Sequence, residues 1–386
     1  MKILYINNFF SLFGESDCGA SNRSTMFISA LAEVAHVDII SFRGSLEIPI
    51  SNCYAIYAKE ITTKTKESRL DKLLKLLAFG NPKKIYPINV EKEKIVDQYF
   101  TSGEYDYIAC RYLREATECG ILKYSDKLIL DVDDNPKDIA LMASKTAKTL
   151  RNRIYNRLFA FSINSVVKSS LKKVFCCFHS NPLQPPIDKS IYLHNLSISN
   201  IELPLINEET PMRIIMVGAF SYGPNIEGLE YFLEHVWPIV HKQNPNVILN
   251  IVGRVSNDNY KQRWSKIEGV EIKGFVSDLI AEYREVRVVI VPIYSGTGTS
   301  VKLVEAMNLK RVCVSTQEGV RGYDQYLKNI EDYLLAKTDE EFANNILKLL
   351  DDVELCNKIA NSAKSKIEKY YSQHKFNEIV KKSVIH

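Results

Sequence analysis

Val288-Val289-Ile290-Val291-Pro292-Ile293-Tyr294-Ser295-Gly296-Thr297-Gly298-Thr299-Ser300-Val301-Lys302-Leu303-Val304-Glu305-Ala306-Met307 is the stretch on which the fold turns. The unbroken apolar run 288–293 predicts a buried strand of a parallel sheet. Two glycines follow, and then a helical pattern opens over 300–309. The first amides of a helix have no partner inside it, so a strand that feeds a glycine turn and a helix N-terminus makes an anion site. Glycine lets the backbone approach a phosphate closely. Lys302 adds a full positive charge and Glu305 an acceptor that suits sugar hydroxyls. Phosphate and sugar recognition in one turn points to a nucleotide-sugar. Each part alone also fits a plain connection, a solvated lysine or a surface glutamate, so the surrounding sequence decides.

Outward from this stretch the second half alternates strand and helix. Strands are expected at 213–218, 247–252, 270–273, 288–293, 311–315 and 333–335. Helices are expected at 225–243, 258–266, 278–285, 300–309 and 339–350, with two more at 352–366 and 372–384. The chain starts this pattern twice. Lys2-Ile3-Leu4-Tyr5-Ile6-Asn7 opens the first half as Arg213-Ile214-Ile215-Met216-Val217-Gly218 opens the second. Two such openings predict an α/β protein of two Rossmann-like domains. In the first half, Gly14 to Ser21 reads as a small-residue loop and 23–33 as a helix. Strands are expected at 37–42, 105–111, 127–134 and 174–177. The segment 59–98 reads as exposed helices and 138–172 as a long basic helical region. Pro204 and the cluster Asn207 to Pro211 break the pattern, so 196–211 reads as the linker.

With 386 residues, 46% hydrophobic and 25% charged, the chain has material for two ordinary domains with cores of their own. A net charge of +4 does not by itself imply nucleic acid. None of the eight cysteines forms a C-x-x-C pair, and none pairs with a histidine at zinc spacing. They read as reduced thiols of a cytoplasmic protein. The N-terminal apolar run is too short for a signal peptide, and no apolar run is long enough to span a bilayer.

These features, taken in order, resemble the GT-B glycosyltransferases, in particular family 4, also called group 1. The resemblance covers about 212–370. Val217-Gly218-Ala219-Phe220 with Pro224-Asn225 is similar to the family's opening strand and loop. Val236-Trp237-Pro238 and Ile251-Val252-Gly253 follow. Gly274-Phe275-Val276-Ser277-Asp278-Leu279 resembles the loop that receives the base. Gly296 to Glu305 resembles the diphosphate and ribose site, and Val314-Ser315-Thr316 with Glu318-Gly319 the next strand and loop.

The resemblance implies two Rossmann-like domains facing a central cleft. An acceptor domain would span 1–198 and a donor domain 199–371, with a last helix, about 372–386, crossing back. The implied activity is transfer of a sugar from a nucleoside diphosphate sugar to a hydroxyl acceptor, retaining and metal-independent, with no cofactor, in surface polysaccharide or glycoconjugate synthesis. Glu305 would bind the ribose. Gly218, Thr297 and Gly298 would line the donor site, and the amides of Thr299, Ser300 and Val301 would hold the diphosphate. Phe275 and Val276 would meet the base. Lys302 would neutralise the leaving group. On the acceptor side the resemblance points to Gly19; Arg23 behind it is a candidate ligand of an acceptor phosphate, and Arg111, at an expected strand end, a candidate acceptor contact. Arg23 reads equally as a surface helix arginine, and Arg111 as a structural ion-pair partner.

This sequence departs from the family in two places. The first of two glutamates eight positions apart falls at Thr297, and the arginine–lysine pair after the domain's first strand is replaced by Ala219 and Pro224-Asn225. A G-x-G-T-x-x-K-x-x-E variant fits better. The missing acid keeps open a non-catalytic GT-B binding module, and the shared architecture a GT-B sugar epimerase. Asp131-Val132-Asp133-Asp134 matches the D-x-D metal motif of the other glycosyltransferase architecture, but the tandem pattern favours the metal-free type. Asp133 or Asp134 then stands at a strand end as a contact to the transferred sugar or the acceptor, Asp133 being the candidate catalytic residue, with an acidic helix cap as the equal alternative. Finally, 144–173 gathers basic residues among Leu150, Ile154, Leu158 and Phe161. It reads either as a helix on its own sheet or as a peripheral contact with the inner face of a membrane, which would suit a lipid-linked acceptor.

Overall fold

The computed structural model describes residues 1–10, 12–13, 19–44, 46–62, 68–196 and 201–385. The chain forms two compact units, 1–194 with 373–386, and 195–372.

Unit 1 is built on a parallel sheet of β1 (Lys2–Asn7), β2 (His36–Ser41), β3 (Cys53–Ala58), β4 (Tyr107–Arg111), β5 (Leu128–Asp133), β6 (Cys176–His179) and β7 (Ile191–Tyr192). Its order is β3-β2-β1-β4-β5-β6-β7. The helices are α1 (Gly19–Ala32), α2 (Arg69–Leu76), α3 (Val90–Ser102), α4 (Leu113–Glu118), α5 (Pro136–Lys145) and α6 (Leu150–Leu171). β1, β4 and β5 are buried almost throughout, as continuous apolar strands between helical layers must be.

Unit 2 repeats the plan with β8 (Arg213–Val217), β9 (Ile248–Val252), β10 (Val270–Gly274), β11 (Val288–Val291), β12 (Val312–Ser315) and β13 (Leu334–Leu335), in the order β10-β9-β8-β11-β12-β13, again parallel. Its helices are α7 (Gly223–Tyr231), α8 (Trp237–Gln243), α9 (Asp258–Trp264), α10 (Leu279–Arg284), α11 (Val301–Asn308), α12 (Asp339–Asp351) and α13 (Val353–Tyr370). The last helix, α14 (Gln373–Val384), belongs to unit 1 and packs on α1. In both units the strand order reverses beside the first strand, between β1 and β4 and between β8 and β11. Open α/β sheets place ligands outside the carboxyl ends of the strands at such a point.

Several sequence expectations change. The strand expected over 288–293 ends at Val291, because Pro292 has no N–H and the Ile293 amide turns back to the Val291 carbonyl at 3.0 Å. The single helix expected over 225–243 is interrupted by a π-helical turn, Phe232–Val236. Pro238 cannot donate one turn back, and the Trp237 amide reaches the Phe232 carbonyl five residues behind. The basic region 138–172 is two helices, and the second is capped by Thr149, whose side chain accepts from the Asn152 amide. β3 and β7 were not expected. Of the loop expected over 14–21, residues 14–18 lie outside the described residues, and Gly19 to Ser21 already form the start of α1. Much of the expected linker packs on unit 2. Leu203 and Ile206 are buried, and Ile206 exchanges two hydrogen bonds with the Asn357 side chain.

Candidate functional site

At the switch point of unit 2 the buried β11 runs into Gly296 and Gly298, and Ser300 precedes the first turn of α11. Gly296 has φ 127°, a left-handed conformation that side chains resist. Ser300 occupies the cap position without capping: its hydroxyl is buried and has no partner among the described residues. The first amides of α11 therefore open beside a buried hydroxyl that has no partner among the described residues, where an anion would bind.

Lys302 lies one residue inside α11. Its Nζ donates to Asn225 Oδ1 at 2.6 Å, and Asn225 Nδ2 donates to the Ala219 carbonyl at 3.0 Å. Gly218 closes this group. A Cβ there would lie 2.9 Å from Asn225 Nδ2 and 3.4 Å from Lys302 Nζ, so a side chain would push the pair apart. Burial is the largest influence on Lys302 and pulls its ammonium down to about 8, with Glu305 acting in the opposite direction. Burial likewise pushes Glu305 up to about 7, against a hydrogen bond from Tyr283 Oη at 3.2 Å and the charge of Lys302. The two residues stand three apart on one helix face, each poised to change charge near neutrality.

Three members of this group escaped the sequence reading. Asn225 reads in the sequence as part of the opening loop, standing where the family carries a basic pair, with no role in the site. Tyr283 comes from α10. Arg321 follows β12, donates from Nη2 to the Gly298 carbonyl at 2.9 Å and pairs with Glu318, while its buried Nε has no partner among the described residues. Gly296 lies beside it, a Cβ there falling 3.5 Å from Nη2. Arg321 lies 23 residues from Gly298, and nothing beside it in the sequence signals the contact. Only the fold shows that it reaches Gly298. Thr297 and Thr299 are buried, and Thr299 Oγ1 accepts from Asn195 at 2.8 Å. Val301 opens α11. Phe275 is half exposed beyond β10, with the Arg254 guanidinium 5.7 Å from its ring, and Val276 packs on the core beside it.

In unit 1 the expected acceptor residues form a buried ionic cluster at the ends of β4 and β5. Arg23 grips Asp131 with two hydrogen bonds, at 2.8 and 3.0 Å, and spends Nη1 on the Leu193 and His194 carbonyls. Arg111 donates to Asp131 at 2.8 Å, Asp133 at 2.7 Å and Ser24 at 2.9 Å. Burial opposes the charge on Asp131, but the two arginines outweigh it and hold the carboxyl below its ordinary value. Both arginines are therefore engaged inside the unit, and Arg23 is not a surface helix residue. Gly19 stands at the start of α1. Asp133 accepts from Arg111 and from Tyr112 Oη at 3.1 Å and has φ 63°. It does not cap the next helix: Asn135 does, its side chain accepting from the Lys137 amide. Among the described residues no three His, Cys, Asp or Glu side chains gather to hold a metal, and no helix is long and apolar enough to cross a membrane. Seven cysteines are free and buried, and Cys18 lies outside the described residues.

Residues 211–352 match the family model "Glycosyl transferases group 1". A Klebsiella pneumoniae protein described as an uncharacterized 44.6 kDa protein in the cps region is 25% identical over 330 residues, 79% of this chain and 81% of its own. Among solved structures, sucrose-phosphate synthase of Thermosynechococcus elongatus superposes with TM-score 0.69 at 15% identity, covering 99% of this chain and 97% of its own. HepE of Anabaena, solved with UDP and glucose, gives TM-score 0.63 at 13% identity, covering 100% and 99%. The family match spans the whole of the α11 site, so residues 211–352 are similar to group 1 glycosyl transferases, within a chain of GT-B fold.

Proposed function

We propose that the protein moves a sugar from a nucleoside diphosphate sugar to a hydroxyl of a saccharide acceptor, with retention at the anomeric carbon and without metal or other cofactor. The observation that carries this reading is the grouping of Lys302, Asn225, Glu305 and the unpartnered Ser300 hydroxyl at the start of α11, at one switch point. Glu305 accepts from the ribose, the amides of Thr299 to Val301 hold the diphosphate, and Phe275 with Val276 borders the base. Lys302 and Arg321 supply the positive charge that a divalent cation supplies in other transferases.

In the step itself the bond from the anomeric carbon to the diphosphate oxygen breaks, and that oxygen keeps the electron pair. The acceptor oxygen bonds to the same carbon from the same face, and its proton passes to the departing phosphate. Such a route needs no carboxylate nucleophile, which suits a threonine at 297. The cps-region relative supports a role in surface polysaccharide assembly. Unit 1 supplies the acceptor side in this scheme, with Asp133 as its candidate contact to the acceptor.

A lipid-linked acceptor at the inner face of the membrane fits unit 1. Residues 145–173 carry eight basic residues and no acidic one, in a chain of net charge +4. α6 exposes Leu150, Ile154, Leu158 and Phe161 along one stripe, and α2, which packs on it, exposes Leu70, Leu73 and Leu74. Apolar side chains among basic ones suit an anionic lipid surface. Co-sedimentation with phosphatidylglycerol vesicles at two salt concentrations tests the contact, and indifference to lipid charge and salt refutes it.

Incubation with a panel of nucleoside diphosphate sugars and saccharide acceptors, with release of the nucleotide as readout, tests the activity. Release that requires both partners is expected. Tight donor binding without release in any pairing would instead favour a binding module.

A further inference from the structure

Unit 1 contains a cavity of about 390 Å3 that no part of the transfer scheme uses. Its walls come from α4, the end of β5, α5 and α6, at the carboxyl edge of the sheet. Phe9, Tyr86, Val132, Ile139, Phe159 and Ile163 make it largely apolar. Tyr112, Arg114 and Asp134 bring polar groups to it. That size, and a mostly hydrocarbon lining with a few polar groups, are those of a small-molecule site.

Two further observations point to a ligand there. Tyr112 and Asp133 both adopt left-handed backbone, at φ 67° and 63°, a conformation that costs free energy for residues other than glycine. Tyr112 directly follows β4 and Asp133 ends the neighbouring β5, and the Tyr112 hydroxyl is bonded to Asp133, so the two residues meet at the cavity's polar edge. The second observation is α6 itself. It lines the cavity with Asn156, Phe159 and Ile163 and turns the stripe Leu150, Ile154, Leu158 and Phe161 outward among basic residues. One helix thus touches both the cavity and a surface suited to lipid.

We infer that this cavity binds the hydrocarbon segment of an amphiphilic acceptor, leaving the acceptor's polar head beside Tyr112, Asp133 and Arg114. The inference rests on the transferase reading for the word acceptor, but the binding it describes is measurable without turnover. A prenyl and an acyl chain share the chemistry the cavity recognises.

Isothermal titration of the full chain with octyl, geranyl and methyl β-D-glucoside, each below its micelle concentration, tests it. The two chain-bearing glucosides are expected to bind and the methyl glucoside not to. Ala143→Phe, which fills the cavity, and Ile139→Glu, an exposed position that places charge at its lining, each weaken binding about tenfold or more. Phe161→Ser on the outer stripe leaves it unchanged, and the thermal shift given by UDP is the same in all variants. Tighter binding of octyl assigns an acyl chain, and tighter binding of geranyl a prenyl chain. Methyl glucoside binding as well as octyl, indifference to both cavity variants, or loss in Phe161→Ser overturns the inference. Sugar transfer with no chain binding refutes the cavity assignment alone. Chain binding with no transfer to any acceptor refutes the transferase reading alone.

Discussion

Lys302 Nζ lies 2.6 Å from Asn225 Oδ1, and this one hydrogen bond ties the first turn of α11 to the start of α7 across 77 residues of sequence. The amide orients the lysine without neutralising it. A half-buried ammonium with a neutral partner keeps its charge for a ligand, at a cost to the unliganded protein.

Replacing Lys302 should therefore separate stability from activity. Lys302→Met is expected to lower kcat on the order of a hundredfold or more, as loss of a group that stabilises developing charge does. It should also raise the melting temperature near pH 7. The lysine's folded value of about 8 lies below its ordinary 10.5, so its penalty is full below about 8 and fades as pH rises towards 10.5. Melting curves at pH 7 and 9.5 check this: the variant's advantage should shrink at the higher pH. A variant that melts lower at pH 7 contradicts the cost assigned to the buried charge.

The pH dependence of kcat/KM for the donor should be a narrow bell. Glu305 must ionise, near 7, to accept from a ribose, while Lys302 must stay protonated, below about 8. Glu305→Gln is expected to remove the acid limb and Lys302→Arg to move the alkaline limb upward. A profile flat from pH 6 to 9 in the wild type would separate both groups from donor binding.

Arg321→Ala should raise the KM for the donor about tenfold, the worth of one charge-assisted hydrogen bond, with a smaller change in kcat. Arg321→Lys should restore part of the loss, since it keeps the charge but not the geometry at Gly298. Unchanged donor KM in the alanine variant would confine this arginine to holding the loop.

In unit 1, Asp131→Asn should destabilise the protein by about 3–5 kcal/mol, because it removes the carboxylate shared by two buried guanidiniums and leaves Asp133 to offset both. Urea unfolding followed by circular dichroism measures it. A loss below about 1 kcal/mol, the range of surface pairs, would show that water reaches the cluster.

The strands were legible because a parallel sheet buried on both faces writes itself as short apolar runs, and β8, β11 and β12 lie within a few residues of where those runs fall. Lys302 and Glu305 were legible because their spacing along one helix is a local property. What was hidden is what the tertiary fold brings together. Arg321 reaches Gly298 from 23 residues away, and Arg23 meets Asp131 across 108. Nothing in the sequence beside either residue announces its partner. The apolar stripe of α6 could be read, but not that α2 lies alongside it, since α2 carries no buried residue and its own pattern only says exposed helix.

The return of α14 to unit 1 has a consequence for how the chain is made. The Arg23 guanidinium lies 5.9 Å from the Phe376 ring, and His194 meets the same ring edge-on. Those contacts are missing while the ribosome is still reading the intervening half. Unit 2 has all its own residues before unit 1 does, so the two halves should complete their folding in the reverse of the order in which they begin.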